Sequence, residues 1–252
     1  SLGGDAGHAC GHHLFGAASV HAAVAVRDWL KKNNQKGTIR LYGTPAEEGG
    51  SGKVYIARDG FFDDVDIVLH WHPSDINKSH FSSSNGNKSA RFTFKGISAR
   101  AAGSRQNGRS ALDGVEAMNM MVNLMREHMD EEARIHYVIT KGGLAPNVVP
   151  EEAQVYYYVR HPNVDGVVDL FERVVKAARG AAQGTETKLE YEVMHGNYPL
   201  MPNKVLSEMI YEELLELGGI KYTNEETEYA NELYKTLINP SRKIGSQEEI
   251  QP

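Results

Sequence analysis

The hydrophobic pattern of the chain first predicts an α/β layer. Apolar residues recur at nearly helical spacing over residues 14–32, which predicts an amphipathic helix. Two short apolar runs follow at 38–42 and 65–72, and both are predicted strands. The second run is rich in β-branched residues and ends at Pro73, which is typical of a buried strand in a helix-covered sheet.

The pattern changes near residue 87 and predicts a second kind of unit. Predicted strands lie at 91–95, 135–140, 154–160 and 187–194, and predicted helices at 109–128 and 164–182. The order β-α-β-β-α-β is that of the split ferredoxin-like unit, an antiparallel sheet with two helices on one face. Two more helices are predicted after Pro202, at 205–217 and 225–237. We therefore expect an α/β fold with segments 1–86 and 199–252 in one layer and 87–198 inserted as a separate domain.

Composition and charge narrow the function classes. The 252 residues include 27 Lys and Arg against 33 Asp and Glu, a formal charge of −6, which argues against a nucleic-acid-binding surface. The sequence has no apolar run long enough for a membrane span and no signal-peptide pattern, so a cytoplasmic protein is expected. A single cysteine excludes an intramolecular disulfide framework. The unusual feature is the set of eleven histidines, several of which are clustered.

The first cluster is the segment GHACGHH at residues 7–13, directly before the first predicted helix. Cys10 and His12 are two residues apart, and Gly11 between them allows a close turn, so sulfur and imidazole nitrogen could reach one metal ion. The alternative is a buried cysteine beside solvent-facing histidines.

The second cluster is the segment TPAEEGG at residues 44–50, immediately after the predicted strand at 38–42. Active-site residues of α/β folds collect at the carboxyl ends of strands. Of the adjacent Glu47 and Glu48, one could bind a metal while the other acts as a general base. The alternative is a solvated acidic turn.

The third cluster is the end of the predicted strand at 65–72, where His70 and His72 share one face. Either imidazole is a possible metal ligand, and a hydrogen-bonded core histidine is the alternative for each. One shared metal site explains three such clusters better than three coincidences do.

These segments together resemble a known family. The stretches GHACGH, TPAEEGG, the His-Pro strand end, GRSALD and APNVVP are similar to those of the amidohydrolase branch of the aminoacylase/carboxypeptidase-like dinuclear metallopeptidases. Within that branch they are most similar to the p-aminobenzoyl-glutamate hydrolase group. The resemblance covers nearly all of residues 5–203 and implies an α/β/α catalytic layer that carries a ferredoxin-like lid domain.

The resemblance also implies a dinuclear site with two divalent metal ions, zinc or manganese. The implied metal ligands are Cys10, His12, Glu48 and His72. His70 remains an alternative to His72, which we favour because the family places its histidine shortly after an aspartate that resembles Asp66. Glu47 is the implied general base.

The implied reaction is hydrolysis of the amide bond of N-acyl or N-aroyl amino acids, such as p-aminobenzoyl-glutamate, or of short peptides. Glu47 would take a proton from the attacking water and return it to the leaving amine. Asn147 and Arg160 match family residues that hold the carbonyl or carboxylate of this small-molecule substrate. The family also pairs its lid domains between protomers, which implies a homodimer.

Two features depart from the family. Its lid carries a histidine in the stretch Ser-Ala-His-Ala-Ala, where this chain has Arg100; arginine keeps a positive charge and can stabilise an oxyanion but cannot transfer a proton. The family also has a last metal-binding histidine near its C-terminus, and no histidine follows His195 here. Because members of the group are much longer, we expect the chain to hold half of the catalytic layer and the whole lid.

Two alternatives to the metallohydrolase follow from these departures. One is a non-catalytic remnant that acts as a dimerisation or ligand-binding module. The other is a hydrolase that uses Cys10, with its histidine neighbours, as a nucleophile.

Overall fold

The computed structural model describes residues 7, 8 and 10–252. The helices in this part of the chain are α1 His12–Lys32, α2 Gly52–Arg58, α3 Ala111–Met125, α4 Val164–Gly184, α5 Lys204–Leu217 and α6 Asn224–Tyr234. The strands are β1 Asn77–Lys78, β2 Gly86–Lys95, β3 Arg134–Lys141, β4 Glu152–His161, β5 Lys188–Asn197 and β6 Ile250–Gln251. One sheet is parallel and the other antiparallel, so the α/β class is confirmed. None of the described helices combines the length and apolar character that a membrane crossing requires.

The chain divides into two compact units. The first unit comprises Ser1–Thr44, Phe62–Phe81 and Pro202–Pro252. The second unit comprises Pro45–Phe61 and Ser82–Met201.

The second unit is built on a four-stranded antiparallel sheet in the order β3-β4-β2-β5. Its elements follow one another along the chain as β-α-β-β-α-β, and this sheet order is that of a ferredoxin-like unit. Strand β4 alternates buried and half-buried residues along its whole length, as a strand with one face in a core does. A bulge shifts the β2–β5 register between Ser89 and Ala90.

Helices α3 and α4 cover one face of this sheet and pack against each other. The side chains of Phe92, Phe94, Val155 and Tyr157 are fully buried between the sheet and the helices. Both helices begin where the sequence places a capping residue: the Ser110 hydroxyl accepts from the Asp113 amide, and the Asn163 side chain does the same for the Asp165 amide. The helices predicted at 109–128 and 164–182 therefore form close to the expected bounds.

Two helical glycines of this unit allow a matched test of the packing. A Cβ atom at Gly114 in α3 would lie 2.5 Å from the Phe94 ring, whereas one at Gly180 in α4 would meet nothing closer than the Met121 sulfur at 3.7 Å. We expect Gly114→Ala to lower the free energy of unfolding by about 1–3 kcal/mol, because the buried ring must shift. We expect Gly180→Ala to leave it unchanged or raise it by up to about 1 kcal/mol. Chemical denaturation of both variants measures the difference, and equal effects would contradict the close packing at Gly114.

The first unit contains helices α1, α5 and α6 and a two-residue parallel pairing of β1 with β6. The strand predicted at 38–42 is wrong, because this segment has no strand pairing in the part of the chain that the structure describes. Arg40 instead forms a bidentate ion pair with Asp64, with both N···O distances at 2.6 Å.

The buried strand predicted at 65–72 is also wrong. This segment likewise has no strand pairing, and Ile67, Val68 and Leu69 are 59%, 60% and 66% exposed. A strand needs a neighbour to share its backbone hydrogen bonds, and among the described residues no other segment supplies that neighbour. The apolar, β-branched composition alone is therefore not enough to form the strand.

Candidate metal centre

A tight turn before α1 sets the positions of Cys10 and His12. Gly11, between them, caps the helix with φ 84°, a left-handed conformation that glycine adopts without strain. Its amide donates to the His8 carbonyl oxygen at 3.1 Å. A Cβ atom at this position would lie 2.9 Å from Cγ of Pro73, so the turn also packs closely against the His-Pro segment.

The side chain of His72 lies against Cys10. Its Nε2 is 3.3 Å from the Cys10 Sγ, and its Nδ1 is 2.7 Å from the Pro73 carbonyl oxygen. Because a carbonyl oxygen can only accept, Nδ1 carries the proton and the lone pair of Nε2 points towards the sulfur. This arrangement favours His72 over His70 as the metal ligand.

Phe15 holds both imidazoles of the first unit in place. It lies three residues after His12, on the same side of α1, and the two rings meet edge to face at 5.2 Å between centroids. The same phenyl ring meets the His72 ring edge to face, also at 5.2 Å, and contacts Trp71 at 5.5 Å. The sequence analysis did not single out Phe15, although its helical spacing from His12 would have been a usable signal.

A closed turn presents Glu47 and Glu48. The Ala46 carbonyl oxygen accepts hydrogen bonds from the amides of Gly50 and Ser51, both at 2.8 Å. Ala46 and Ser51 have φ values of 55° and 53°, which are uncommon for residues other than glycine and occur where the surrounding structure enforces them. The turn does not follow a strand, as the sequence analysis expected, but these contacts fix its conformation.

The ligand atoms offered by Cys10, His12 and Glu48 lie within 4.8 Å of one another. Sulfur, imidazole nitrogen and carboxylate oxygen are the donors that zinc uses in proteins, with bonds of about 2.0–2.3 Å. Two such ligands on one tetrahedral ion are about 3.6 Å apart, which is close to the 3.3 Å between Cys10 and His72. The donor set and its spacing therefore fit a divalent metal ion.

The predicted substrate-binding residues fall into two groups within the second unit. Arg100 and Asn147 are neighbours, since the Ala101 amide donates to the Asn147 carbonyl oxygen at 3.0 Å and Arg100 bridges to Val148. Both lie in loops beyond the end of the sheet where β2 finishes and β4 begins. Arg160 lies near the opposite end of β4, about 25 Å away at the rise of a β-strand. The structure does not bring all three together in one chain.

Tyr158 links Arg160 to the carboxylate turn. Its hydroxyl donates to the Glu48 carbonyl oxygen at 3.3 Å, and the Arg160 guanidinium carbon lies 5.4 Å from the centre of its ring. His195 meets the same ring edge to face at 5.3 Å. The sequence analysis missed Tyr158, although the period of two along β4 places it on the same face as Arg160.

Comparisons with known proteins agree with the resemblance found in the sequence. The B-type component of p-aminobenzoyl-glutamate hydrolase from Escherichia coli (strain K12) is 43% identical over 241 residues, which are 95% of this chain and 50% of that protein. Xaa-Arg dipeptidase of Mus musculus is 30% identical over 215 residues, 84% of this chain and 50% of that protein. The chain thus spans about half the length of the curated relatives it matches.

Solved structures support the fold. An aminobenzoyl-glutamate utilization protein from Klebsiella pneumoniae superposes with a TM-score of 0.53 and 22% identity, over 68% of this chain and 45% of that one. A putative aminohydrolase from methicillin-resistant Staphylococcus aureus gives a TM-score of 0.52 at 14% identity, over 68% of this chain and 46% of that one. Residues 3–233 match the sequence profile of Peptidase family M20/M25/M40, and the chain therefore belongs to this family.

Proposed function

We propose that this chain forms the metal-binding part of a hydrolase that cleaves the amide bond of N-acyl or N-aroyl amino acids, such as p-aminobenzoyl-glutamate, or of short peptides. The observation that carries the proposal is the spacing of Cys10, His12 and Glu48, whose ligand atoms lie within 4.8 Å of one another. Membership of the peptidase family and the relatives' names support the reaction class.

The first part of the proposal assigns the metal ligands. Cys10, His12, Glu48 and His72 would hold two divalent ions, zinc or manganese, together with ligands outside this set. Phe15 orients the two imidazoles, and the carbonyl oxygen of Pro73 fixes the tautomer of His72. Bound divalent ions supply Lewis acidity, which polarises the amide carbonyl and makes water a stronger acid.

The second part assigns the proton transfers. Glu47 precedes Glu48 in the turn fixed by Ala46, so one carboxylate can bind metal while its neighbour stays available to water. Glu47 takes the proton of the attacking water and later gives it to the leaving amine nitrogen. The negative charge that develops on the carbonyl oxygen needs a cation, and Arg100 supplies one that does not exchange protons.

The third part concerns assembly. We propose that residues 87–198 form a lid and that two copies of the chain pair through it, so that Arg100 and Asn147 serve the site of the partner copy. The distance of about 25 Å along β4 between these residues and Arg160 supports this, because one acylated amino acid cannot contact both groups in one chain. The relatives include both an A-type and a B-type component of p-aminobenzoyl-glutamate hydrolase, so a related chain is a second candidate partner.

A metal-reconstitution assay tests this function. The purified chain is stripped with a chelator, reloaded with zinc or manganese, and assayed for release of p-aminobenzoate from p-aminobenzoyl-glutamate. We expect hydrolysis only in the reloaded samples, with renewed loss when chelator is added. Failure of the chain to retain either ion, together with no hydrolysis, would contradict the proposal and favour a non-catalytic binding module.

A further inference from the structure

Four side chains of the second unit carry buried polar atoms that have no hydrogen-bond partner within the described part of the chain. The atoms are Asn87 Oδ1, Ser89 Oγ, Arg160 Nε, and both ring nitrogens of His195. We call these four residues the Arg160 cluster. Since buried polar groups in folded proteins are nearly always hydrogen-bonded, several such atoms in one place require an explanation.

The strand register places the whole cluster on one face of the sheet. Asn87 in β2 lies opposite Arg160 in β4, and Ser89 lies opposite both Tyr158 in β4 and His195 in β5. Side chains at alternate positions of a strand share a face, so Tyr158 and Arg160 point the same way. The intervening residues of β4 are buried beneath the helices, so the cluster occupies the face that α3 and α4 do not cover.

A second buried histidine shows what an ordinary structural role looks like in this unit. His161 and His195 are both 8% exposed. The Nε2 of His161 lies 2.9 Å from an Asp130 carboxylate oxygen, and its Nδ1 accepts from the Asn163 amide at 2.9 Å. His195 has neither kind of partner among the described residues, although Ser89 beside it is fully buried. Burying an unpaired polar group costs about 1–3 kcal/mol, so His195 does not stabilise the fold as His161 does.

The charge around the cluster is positive. Arg160 forms no ion pair within the residues that the structure describes. Burial lowers the pKa of His195, and the charge of Arg160 lowers it further. Burial likewise lowers the pKa of His136, which lies near the charges of Arg160, Arg126 and Arg134. Neutral His195 has one ring N–H to donate, and Ser89 and Asn87 add a hydroxyl and an amide. A cation with neutral donors and no acidic neighbour matches a carboxylate ligand.

We propose that His195, Ser89 and Asn87 join Arg160 in binding a carboxylate of the ligand, with Arg160 as the charged partner and the other three as neutral donors. This inference rests on the proposed function, which assigns to Arg160 the carbonyl or carboxylate of the substrate. It adds three contacts and names carboxylate as the recognised group. The class of ligand is therefore an acylated amino acid with a free carboxylate, whereas its amide is excluded.

Calorimetric titration of the full chain in excess chelator tests the inference separately from the metal centre. The probes are N-benzoyl-L-glutamate and its neutral diamide. We expect the acid to bind at least about 10-fold more tightly than the diamide, because the diamide cannot pair with Arg160. Equal binding of the two probes would overturn the assignment. Competition by inorganic phosphate that is stronger than competition by acetate would also overturn it, in favour of a phosphate site.

Variants at the two buried histidines separate ligand binding from folding. We expect His195→Leu to weaken binding of N-benzoyl-L-glutamate at least about 10-fold and to leave the melting temperature unchanged or higher. His195→Asn, which keeps a donor, should recover part of the binding. The matched control His161→Leu should lower the melting temperature. If His195→Leu lowers it equally or binds the acid normally, His195 is a structural residue.

The outcome also distinguishes this inference from the proposed function. Cys10→Ala should bind the acid normally in chelator, since the Arg160 cluster contains no metal ligand. Normal carboxylate binding in a chain that never hydrolyses an amide would leave the inference intact and contradict the function. Hydrolysis that is insensitive to His195→Leu in both kcat and KM would do the reverse.

Discussion

Replacing Glu47 with glutamine is expected to lower kcat by about 100- to 10,000-fold, the range that a positioned general base contributes. Glutamine has nearly the same shape as glutamate but cannot accept the proton of the attacking water. The turn held by the Ala46 carbonyl oxygen should survive the change, because its hydrogen bonds come from backbone amides. Steady-state assays of the metal-loaded protein, alongside metal analysis of the same sample, measure both effects.

The neighbouring carboxylate provides the matched control. Glu48→Gln changes the same functional group one residue later, at the position whose oxygen lies close to Cys10 and His12. We expect it to lower the bound metal content, whereas Glu47→Gln should retain the metal of the unsubstituted chain. Near-normal turnover of Glu47→Gln, or metal loss in that variant alone, would show that the two roles are wrongly assigned.

Replacing Cys10 with alanine should have the second large effect, a fall in zinc affinity of at least about 100-fold. Loss of even an outer hydrogen-bonding partner of a ligand weakens metal sites by about 10- to 100-fold, and Cys10 is placed as a direct ligand. Its sulfur lies 3.3 Å from the His72 Nε2 and belongs to the group of three possible ligand atoms. Competition with a chromophoric chelator measures the dissociation constant.

Two further variants make the result specific. His12→Ala should weaken zinc binding in the same way, whereas His21→Gln, an exposed histidine further along α1, should leave the affinity unchanged. Equal losses at His12 and His21 would indicate general damage to the helix. Unchanged affinity of Cys10→Ala would remove the sulfur from the ligand set.

The secondary structure of the second unit could be predicted because its signals are local. Residues of β4 alternate between the core and the opposite face, and Ser110 and Asn163 mark the starts of α3 and α4. Each of these features can be found within a few residues of sequence. The antiparallel order of the strands then follows from their short connections and common core.

The strands predicted in the first unit failed because strand formation is not local. Residues 65–72 have the composition of a buried parallel strand, but composition cannot supply the neighbouring strand on which such a strand depends. The same holds for 38–42, where the ion pair of Arg40 with Asp64 is the contact that forms. Sequence pattern described what these segments could do, and the available partners decided the outcome.

The candidate site shows the same division. The spacing of Cys10 and His12 around Gly11 could be interpreted from sequence, because a single turn controls it. The placement of Arg100 and Asn147 at one end of the sheet and Arg160 at the other depends on strand direction, which the motifs alone do not encode. His195 could be singled out only once its lack of a hydrogen-bond partner in the described structure was visible.

X-ray absorption at the zinc edge tests most directly whether Cys10 shares a metal ion with the nearby imidazoles and carboxylate. For the zinc-loaded chain the account predicts one sulfur neighbour at about 2.3 Å together with nitrogen and oxygen neighbours at about 2.0–2.2 Å. The sulfur signal should disappear in Cys10→Ala and persist in His21→Gln. A spectrum of the unsubstituted chain with nitrogen and oxygen neighbours alone would contradict the account.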